Sequence, residues 1–124
     1  GSNTTSGDIA NLPSGLTYYI NAGSNTTSGD IANLPSGLTS YTNYGSNTTS
    51  TFGGTLPANI TTVIDRGVAP AFSATIVDQI LQVLASGTKS NGRVELNAPN
   101  AARTAASDAA RTTLLGRGWT IITA

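Results

Sequence analysis

Few residues of this chain carry side chains that could do chemistry, and most of those are carboxylates and arginines. The sequence contains no His and no Cys, which excludes imidazole and thiolate zinc sites and any nucleophile activated by His or Cys. The charged residues that come nearest to a catalytic set are Asp65, Arg66, Asp78, Arg93 and Glu95. Their spacing matches no catalytic carboxylate pair. We interpret them as surface ion pairs and predict a protein that is not an enzyme, with no catalytic residue and no cofactor.

Two more carboxylates recur at one place in a repeated unit. Asp8 and Asp30 lie 22 positions apart, so stacked units would bring them together. Hard cations such as calcium take oxygen ligands, which makes a metal between them one interpretation. The other is that each Asp caps a short turn. Phe52 replaces the Asp in the third unit, and we predict no metal site.

A 22-residue unit positions these side chains. It reads GSNTTSGDIANLPSGLTYYINA over residues 1–22 and GSNTTSGDIANLPSGLTSYTNY over 23–44, and a decayed copy occupies 45–66. A fixed period of this length is typical of a solenoid, in which each unit buries its apolar face against a neighbour. We predict one α/β domain with these three repeats, followed by a C-terminal capping region over 67–124.

Each unit divides into a turn and a strand. Residues 7–11 predict a turn or a single 3₁₀ coil capped by Asp8, and residues 16–22 predict a strand. The two perfect copies differ at three alternating positions, which are Tyr18/Ser40, Ile20/Thr42 and Ala22/Tyr44. Because alternate strand residues face opposite sides, these should face solvent. The unchanged positions Thr17, Tyr19 and Asn21 should face the interior.

With Leu16 as its first Leu, the unit resembles the leucine-rich repeat family, whose pattern is L-x-x-L-x-L-x-x-N-x-L. The LPxxL spacing is most similar to the short repeats of bacterial surface proteins of this family. Tyr and Asn stand where the family has inward Leu, and the family's ladder Asn falls at Ser24 or Asn25. The inward sets are then Leu16, Tyr19, Asn21; Leu38, Tyr41, Asn43; and Ile60, Val63, Asp65. The resemblance implies that Asn25 and Asn47 stack and hydrogen-bond the backbone of adjacent turns.

Binding on the exposed, concave face of the sheet is what this resemblance implies for function. Two Tyr and an Arg, residue types enriched at binding hot spots, lie among the outward positions. We expect a protein or glycan ligand there, although the same pattern also fits an exposed sheet without a ligand. The predicted surface consists of Tyr18, Ile20, Ala22, Ser40, Thr42, Tyr44, Thr62, Ile64 and Arg66.

Four Asn residues match the N-glycosylation acceptor pattern, and they are Asn3, Asn25, Asn47 and Asn59. Repetition of one unit generates the first three. If Asn25 and Asn47 are interior ladder residues they cannot carry glycans, and we favour the ladder role for them.

After residue 66 the hydrophobic period changes to that of alternating helices and strands. Ser73 predicts an N-cap and Gly87 a stop for the first helix, and an apolar stripe through Ala106, Ala110 and Leu114 marks the second. Such alternation implies parallel strands, with Val63, Val94 and Ile121 in one sheet and the helices as its cap. Trp119 should pack beneath the second helix with a partner for its indole N–H. The predicted elements are a helix over 74–85, a strand over 93–97, a helix over 102–115 and a strand over 118–123.

Composition limits location and partners. Charged residues make up 10% of the chain, against a typical figure of about 25%, and Ser, Thr, Asn and Gly supply the polarity instead. Such surfaces are common outside cells. Six basic residues balance six acidic ones without a basic run, so we expect no nucleic-acid partner. No apolar run approaches the roughly 18 residues that span a bilayer, so we expect no membrane insertion.

The start of the repeat supports a second hypothesis. Residue 1 begins in phase on a full unit, so the pairing groups of the first turn would be exposed. Either more repeats precede it, or another subunit covers this edge. The alternative function is therefore structural: a subunit of a filament, surface appendage or virion that self-assembles through its N-terminal edge.

Overall fold

A computed structural model describes residues 7–21, 26–66, 71–97 and 99–124. These residues form an α/β structure with two α-helices, α1 (Ala74–Ser86) and α2 (Asp108–Gly116). No helix within these ranges is long and apolar enough to cross a membrane. The strands are β1 (Gly7–Asp8), β2 (Tyr18–Asn21), β3 (Thr26–Ser28), β4 (Ser40–Asn43), β5 (Ser46–Asn47), β6 (Thr62–Asp65), β7 (Arg93–Leu96) and β8 (Thr120–Thr123).

The main sheet has five parallel strands in the order β2-β4-β6-β7-β8. Tyr19 pairs with Tyr41, and Tyr41 pairs with Val63, so the sequence period sets the register across the repeats. Val63 then pairs with Val94, and Val94 with Ile121. The prediction that the C-terminal strands extend the sheet of the repeats is confirmed.

A second, three-stranded parallel sheet has the order β1-β3-β5 and follows a different register. Gly7 pairs with Thr27, and Thr27 with Asn47, so the offset between strands is 27 − 7 = 20 and 47 − 27 = 20 residues. Because the repeat is 22 residues long, each unit contributes to this sheet residues that lie two positions nearer the start of the unit than those of the unit before it. Repetition by 22 residues holds in the main sheet and fails here.

Each of the first two units makes a single 3₁₀ turn before its strand, at Ile9–Asn11 and Ile31–Asn33. Asp8 accepts a hydrogen bond from the Ala10 amide at 2.9 Å, and Asp30 accepts one from the Ala32 amide at 2.8 Å. These are N-cap bonds, which satisfy backbone donors that the turn leaves open. The predicted turn and its capping Asp are confirmed.

The core lies on the inner face of the main sheet, where apolar residues of the repeats and of the two helices form one cluster. Tyr19 and Tyr41 stack there with ring centroids 5.6 Å apart and planes 9° apart. Further along the sheet, aliphatic residues of β6, β7 and both helices take over. Helix α1 begins after Ser73, whose hydroxyl accepts from the Ile76 amide at 3.3 Å, and ends before Gly87, as predicted.

The second helix is shorter than predicted. The chain passes through a 3₁₀ turn, Ala105–Ser107, and only then into α2. The Asp78 carboxylate of α1 causes this, because it accepts hydrogen bonds from the Thr104 amide at 2.8 Å and from the Thr104 and Ser107 hydroxyls. Thr104 is held extended, so no α-helix forms across it. Ala106 is exposed as a result, whereas Ala110 and Leu114 are buried as expected.

Trp119 is buried, and its indole N–H donates to the Lys89 carbonyl at 2.8 Å, which supplies the expected partner. Its ring lies against Gly92, where a Cβ atom would come within 2.5 Å of three ring carbons. Only glycine fits beneath the ring at this position. The turn before β7 is thereby fixed against the last strand.

Candidate binding face

One face of the main sheet carries the predicted ligand surface, and we call it the outer face. It consists of the strand positions that alternate with the buried core positions, continued by the residues that follow β4 and β6. Its described members are Tyr18, Ile20, Ser40, Thr42, Tyr44, Thr62, Ile64, Arg66, Arg93, Glu95, Thr120 and Ile122.

The predicted surface residues differ in how much they expose. Tyr18 and Tyr44 are 41% and 44% exposed, and the Arg66 side chain is 43% exposed. Thr42 and Ile64 are only 5% and 7% exposed, so the prediction that they offer surface is wrong. They lie in the middle row of the sheet, flanked on both sides by neighbouring strands. Ile20, Ser40 and Thr62 are half-buried, and Ala22 lies outside the described residues.

Arg66 lies over the ring of Tyr44 at the end of the outer face. The guanidinium carbon is 5.5 Å from the ring centroid, which is cation–π distance. Its Nη1 is 3.8 Å from Glu95 Oε1, close enough for an ion pair and too long for a hydrogen bond. To the other described residues the guanidinium donates no hydrogen bond. Among the described residues, the cation–π contact and the ion pair hold the guanidinium while leaving its donors to a ligand.

Strand β7 adds two charged residues to this face that our predicted surface lacked. Arg93 Nε donates to Glu95 Oε2, and the Arg93 side chain is 49% exposed. Glu95 is only 7% exposed. The prediction of an ion pair is confirmed, and the prediction that this carboxylate lies at the surface is wrong. The alternation of Arg93, Val94 and Glu95 about a buried Val was the sequence signal that would have placed both on the outer face.

On the opposite, inner face the repeats stack a polar ladder. Asn21 Nδ2 donates to Asn43 Oδ1 at 3.1 Å, and Asn43 Nδ2 donates to Asp65 Oδ1 at 3.3 Å. The Tyr41 hydroxyl donates to Asp65 Oδ2 at 3.1 Å. Asp65 is thus an interior residue, as its place in the repeat predicted, and not a member of a surface ion pair. Burial first, and then the charge of Asp65, hold the pKa of Tyr41 well above its usual value.

Thr17 and its equivalents in the next two units, Thr39 and Thr61, are not buried. Thr17 is exposed, against our expectation. The Thr39 hydroxyl donates to the Thr17 carbonyl at 2.9 Å, and the Thr61 hydroxyl donates to the Thr39 carbonyl at 3.4 Å. These bonds join side chain to backbone between successive repeats. They explain why Thr recurs at this position without being buried.

Asn47 hydrogen-bonds the backbone of the preceding turn, as expected, whereas its stacking on Asn25 lies outside the described residues. Its Nδ2 donates to the Gly29 carbonyl at 3.3 Å, and its Oδ1 accepts from the Thr49 amide at 2.8 Å. Because Asn47 is buried, it is not a glycan acceptor in the folded chain. Asn59 is exposed, and modification there stays a prediction. Asn3 and Asn25 lie outside the described residues.

Asp78 is buried, so its assignment to a surface ion pair is wrong. The desolvation that accompanies burial favours the neutral acid. Hydrogen bonds from Ser107 and Thr104 outweigh it and lower the pKa of the Asp78 carboxyl. The carboxylate joins α1 to the start of α2 and faces the interior of the fold.

Neither Asp8 nor Asp30 is arranged as a metal ligand. Both carboxylates cap turns, and Asp30 also accepts from the Thr51 hydroxyl and the Gly53 amide, each at 3.1 Å. In the part of the chain that the structure describes, no group of three or more acidic residues is placed to hold a metal ion.

A cavity of about 380 Å³ lies at the other side of the molecule, between the loop at 54–58 and the end of α1. Leu56, Val83, Leu84 and Trp119 line it with apolar surface. The indole N–H of Trp119 is already bonded to the Lys89 carbonyl. The cavity takes no residue from the outer face.

Comparison with known proteins gives no relative: no family model matches the chain, and no curated protein or solved structure matches it.

Proposed function

We propose that the chain is a leucine-rich-repeat-like solenoid module, displayed outside a cell or on a surface, that binds a protein or glycan without catalysing a reaction. The outer face is its binding surface. The observation that carries the proposal is the exposure of Tyr18, Tyr44, Arg66 and Arg93 together on this face. Residue types of this kind dominate binding energy where they occur at interfaces.

The register of the main sheet supports the solenoid assignment. Asn21, Asn43 and Asp65 lie one above another at a spacing of 22 residues, and their side chains bond in sequence. Each repeat therefore completes the hydrogen bonds of its neighbour, as expected of stacked units. The 3₁₀ turns at Ile9–Asn11 and Ile31–Asn33 return the chain between strands in the same way in both perfect copies.

The roles of the buried carboxylates support a function in binding. Asp65, Asp78 and Glu95 each accept hydrogen bonds from neighbouring side chains that hold the fold together. The sequence contains no His and no Cys to act beside them. The outer face exposes Tyr and Arg side chains, which offer aromatic rings and hydrogen-bond donors to a ligand.

The edges of the main sheet favour a structural subunit as the second candidate. Among the described strands, β2 and β8 form the two edges. Neither contains Lys or Pro, the residues that commonly protect an edge from pairing with another chain. Since all strands are parallel, β8 of one copy would pair with β2 of the next in the same direction, and repetition of that contact gives an open filament.

A binding screen tests the first proposal. Labelled protein is applied to an array of glycans and extracellular matrix proteins, beside a variant that combines Tyr18→Ala with Tyr44→Ala. Leu115→Ala is the control, because Leu115 is equally exposed but lies on α2. We expect a ligand that the double variant loses and the control retains. A ligand bound equally by all three proteins would contradict the proposal.

Sedimentation of the purified chain separates the two candidates. A binding module sediments as one species whose size is independent of concentration. A filament subunit gives rods that lengthen as concentration rises, and these would favour the structural role.

A further inference from the structure

We propose that the ligand of the outer face is an acidic glycan, with a sugar carboxylate bound by Arg66 and a sugar ring packed beside Tyr44. The inference rests on the proposed function of this face and names the ligand class. It follows from the geometry of Arg66, from the charge of the face and from the rings and hydroxyls that the face carries.

Arg66 is built to bind an oxyanion. Guanidinium presents a planar fork of N–H donors that fits a carboxylate with two parallel hydrogen bonds. Tyr44 holds the guanidinium by a cation–π contact, with the guanidinium carbon 5.5 Å from the ring centroid. Glu95 is 3.8 Å away, so it attracts the guanidinium without occupying its donors through a hydrogen bond. A ligand carboxylate would find these donors already oriented.

The local charge of the face favours an anion. Arg93 donates a hydrogen bond to Glu95 and so neutralises its charge. Arg66 then supplies a net positive charge, since the remaining described positions of the outer face are uncharged. The whole chain has no net charge, so attraction is confined to this neighbourhood. Exposed charges act over about 8 Å at physiological salt, which is the scale of one or two side chains.

The rings and hydroxyls of this face match a chain of sugar rings better than a protein surface. Tyr44 lies four residues further along the chain than Ser40, the partner of Tyr18, so the Cα atoms of the two tyrosines are about 14 Å apart. Ser40 and Thr62 extend the row of Tyr18 with two half-buried hydroxyls, and the buried Thr42 and Ile64 lie in the row between the two tyrosines. Protein hot spots prefer desolvated pockets. The cavity beside Trp119 lies elsewhere, and this face offers flat rings and hydroxyls.

The experiment compares two polymers with one backbone. Polygalacturonate carries a carboxylate on each ring, and its fully methyl-esterified form carries none. We expect calorimetry to show binding of polygalacturonate that is at least tenfold tighter than that of the ester, because hydrogen bonds to charged groups contribute roughly that factor. Higher salt should weaken the binding of polygalacturonate and leave the binding of the ester unchanged.

Variants assign the effect to one side chain. Arg66→Gln should weaken polygalacturonate binding about tenfold, and Arg66→Lys should recover little of it because an ammonium lacks the fork. Arg111→Gln, which removes an equal charge from the exposed side of α2, should bind as the unmodified chain does. Thermal unfolding of each variant confirms that the fold is retained.

Distinct outcomes overturn the inference. An acidic glycan is contradicted if the chain binds the acid and its ester with equal affinity, or if the Arg66→Gln variant binds polygalacturonate as tightly as the unmodified chain. It is also contradicted if the chain binds none of polygalacturonate, alginate and hyaluronan. Tighter binding of polyglutamate through Arg66 would assign an acidic peptide instead, and tighter binding of dextran sulfate would assign a sulfate. In these cases the proposed function still stands if another ligand is lost in the Tyr18/Tyr44 double variant, and it fails if none is.

Discussion

The two halves of the main sheet fill their interiors with different chemistry. Beneath β2, β4 and β6 a column of Asn21, Asn43 and Asp65 and a pair of stacked tyrosines lie among the aliphatic residues of the repeats. Beneath β7 and β8 the interior is aliphatic and is covered by the two helices. In an exact repeat each residue stacks on the same residue of the next unit. An amide can hydrogen-bond to another amide in such a stack, because it carries both a donor and an acceptor. The helices do not repeat, so ordinary apolar packing serves there.

The end of the polar column shows how one half gives way to the other. Asn in the first two copies becomes Asp65 in the third, and a carboxylate accepts from Asn43 and Tyr41 without needing a further acceptor above it. The next strand contributes Leu96, and Asn100 reaches back to the Asp65 carbonyl at 2.6 Å and to the Phe72 amide at 2.9 Å. Asp65 therefore closes the ladder where the repeat ends.

Replacing Asp65 should break this arrangement with the largest effect on stability. Asp65→Ala leaves the Tyr41 hydroxyl and the Asn43 amide without their acceptor in the interior, and we expect a loss of about 4 kcal/mol in the free energy of unfolding. Urea denaturation measures it, provided that the m-value is unchanged.

Asp65→Asn is the matched control, because it retains an acceptor for Asn43 and continues the pattern of the first two copies. It should lose less than half as much. Equal losses in the two variants would show that an amide acceptor at this position does not stabilise the ladder, which would contradict its continuation from the first two copies.

The apolar half should respond to lost volume instead. Leu81 is fully buried in α1, and Leu81→Ala should reduce stability by about 3 kcal/mol through lost transfer energy and a cavity. Leu115→Ala, on the exposed side of α2, should change it by less than about 0.5 kcal/mol. Similar urea midpoints for the two variants would contradict the assignment of the core.

Asp78 supplies a smaller, pH-dependent effect. Its folded-state pKa is lowered, so its stabilisation is complete above the unfolded value near 3.8 and is lost as pH falls through the folded value. We expect Asp78→Asn to cost about 2 kcal/mol at pH 7, and this gap should narrow towards pH 3. Urea titrations at pH 7, 5 and 3 measure the gap. If the difference in unfolding free energy between the two proteins widened as the pH fell, the pKa of Asp78 would be raised by folding, which contradicts the prediction.

The sequence predicted what repetition and capping determine. Copy-to-copy variation at alternate positions identified Tyr19 and Asn21 as buried and Tyr18 as exposed. Ser73 and Gly87 placed α1 because an N-cap and a stop act locally. The alignment of Val63, Val94 and Ile121 followed from the rule that strand, helix, strand connections produce parallel neighbours.

Contacts between distant segments were beyond the sequence. The late start of α2 depends on Asp78, 26 residues before Thr104, and no local pattern indicates it. The 20-residue register of the small sheet differs from the sequence period, so the period alone could not give it. On the outer face, the burial of Thr42 and Ile64 follows from their place in the middle row, which alternation does not distinguish from the rows beside it.

The difference between the two faces of the sheet is what the functional proposal depends on, and chemical-shift mapping tests it most directly. Trigalacturonate is titrated into ¹⁵N-labelled protein, and perturbed resonances are placed on the structure. We predict that the largest shifts fall on Tyr44, Arg66 and Arg93, with small ones at Asn43 and Leu81. Shifts concentrated around Trp119 and Val83 would contradict the assignment of the outer face as the binding surface, and an absence of shifts would contradict the acidic glycan as its ligand.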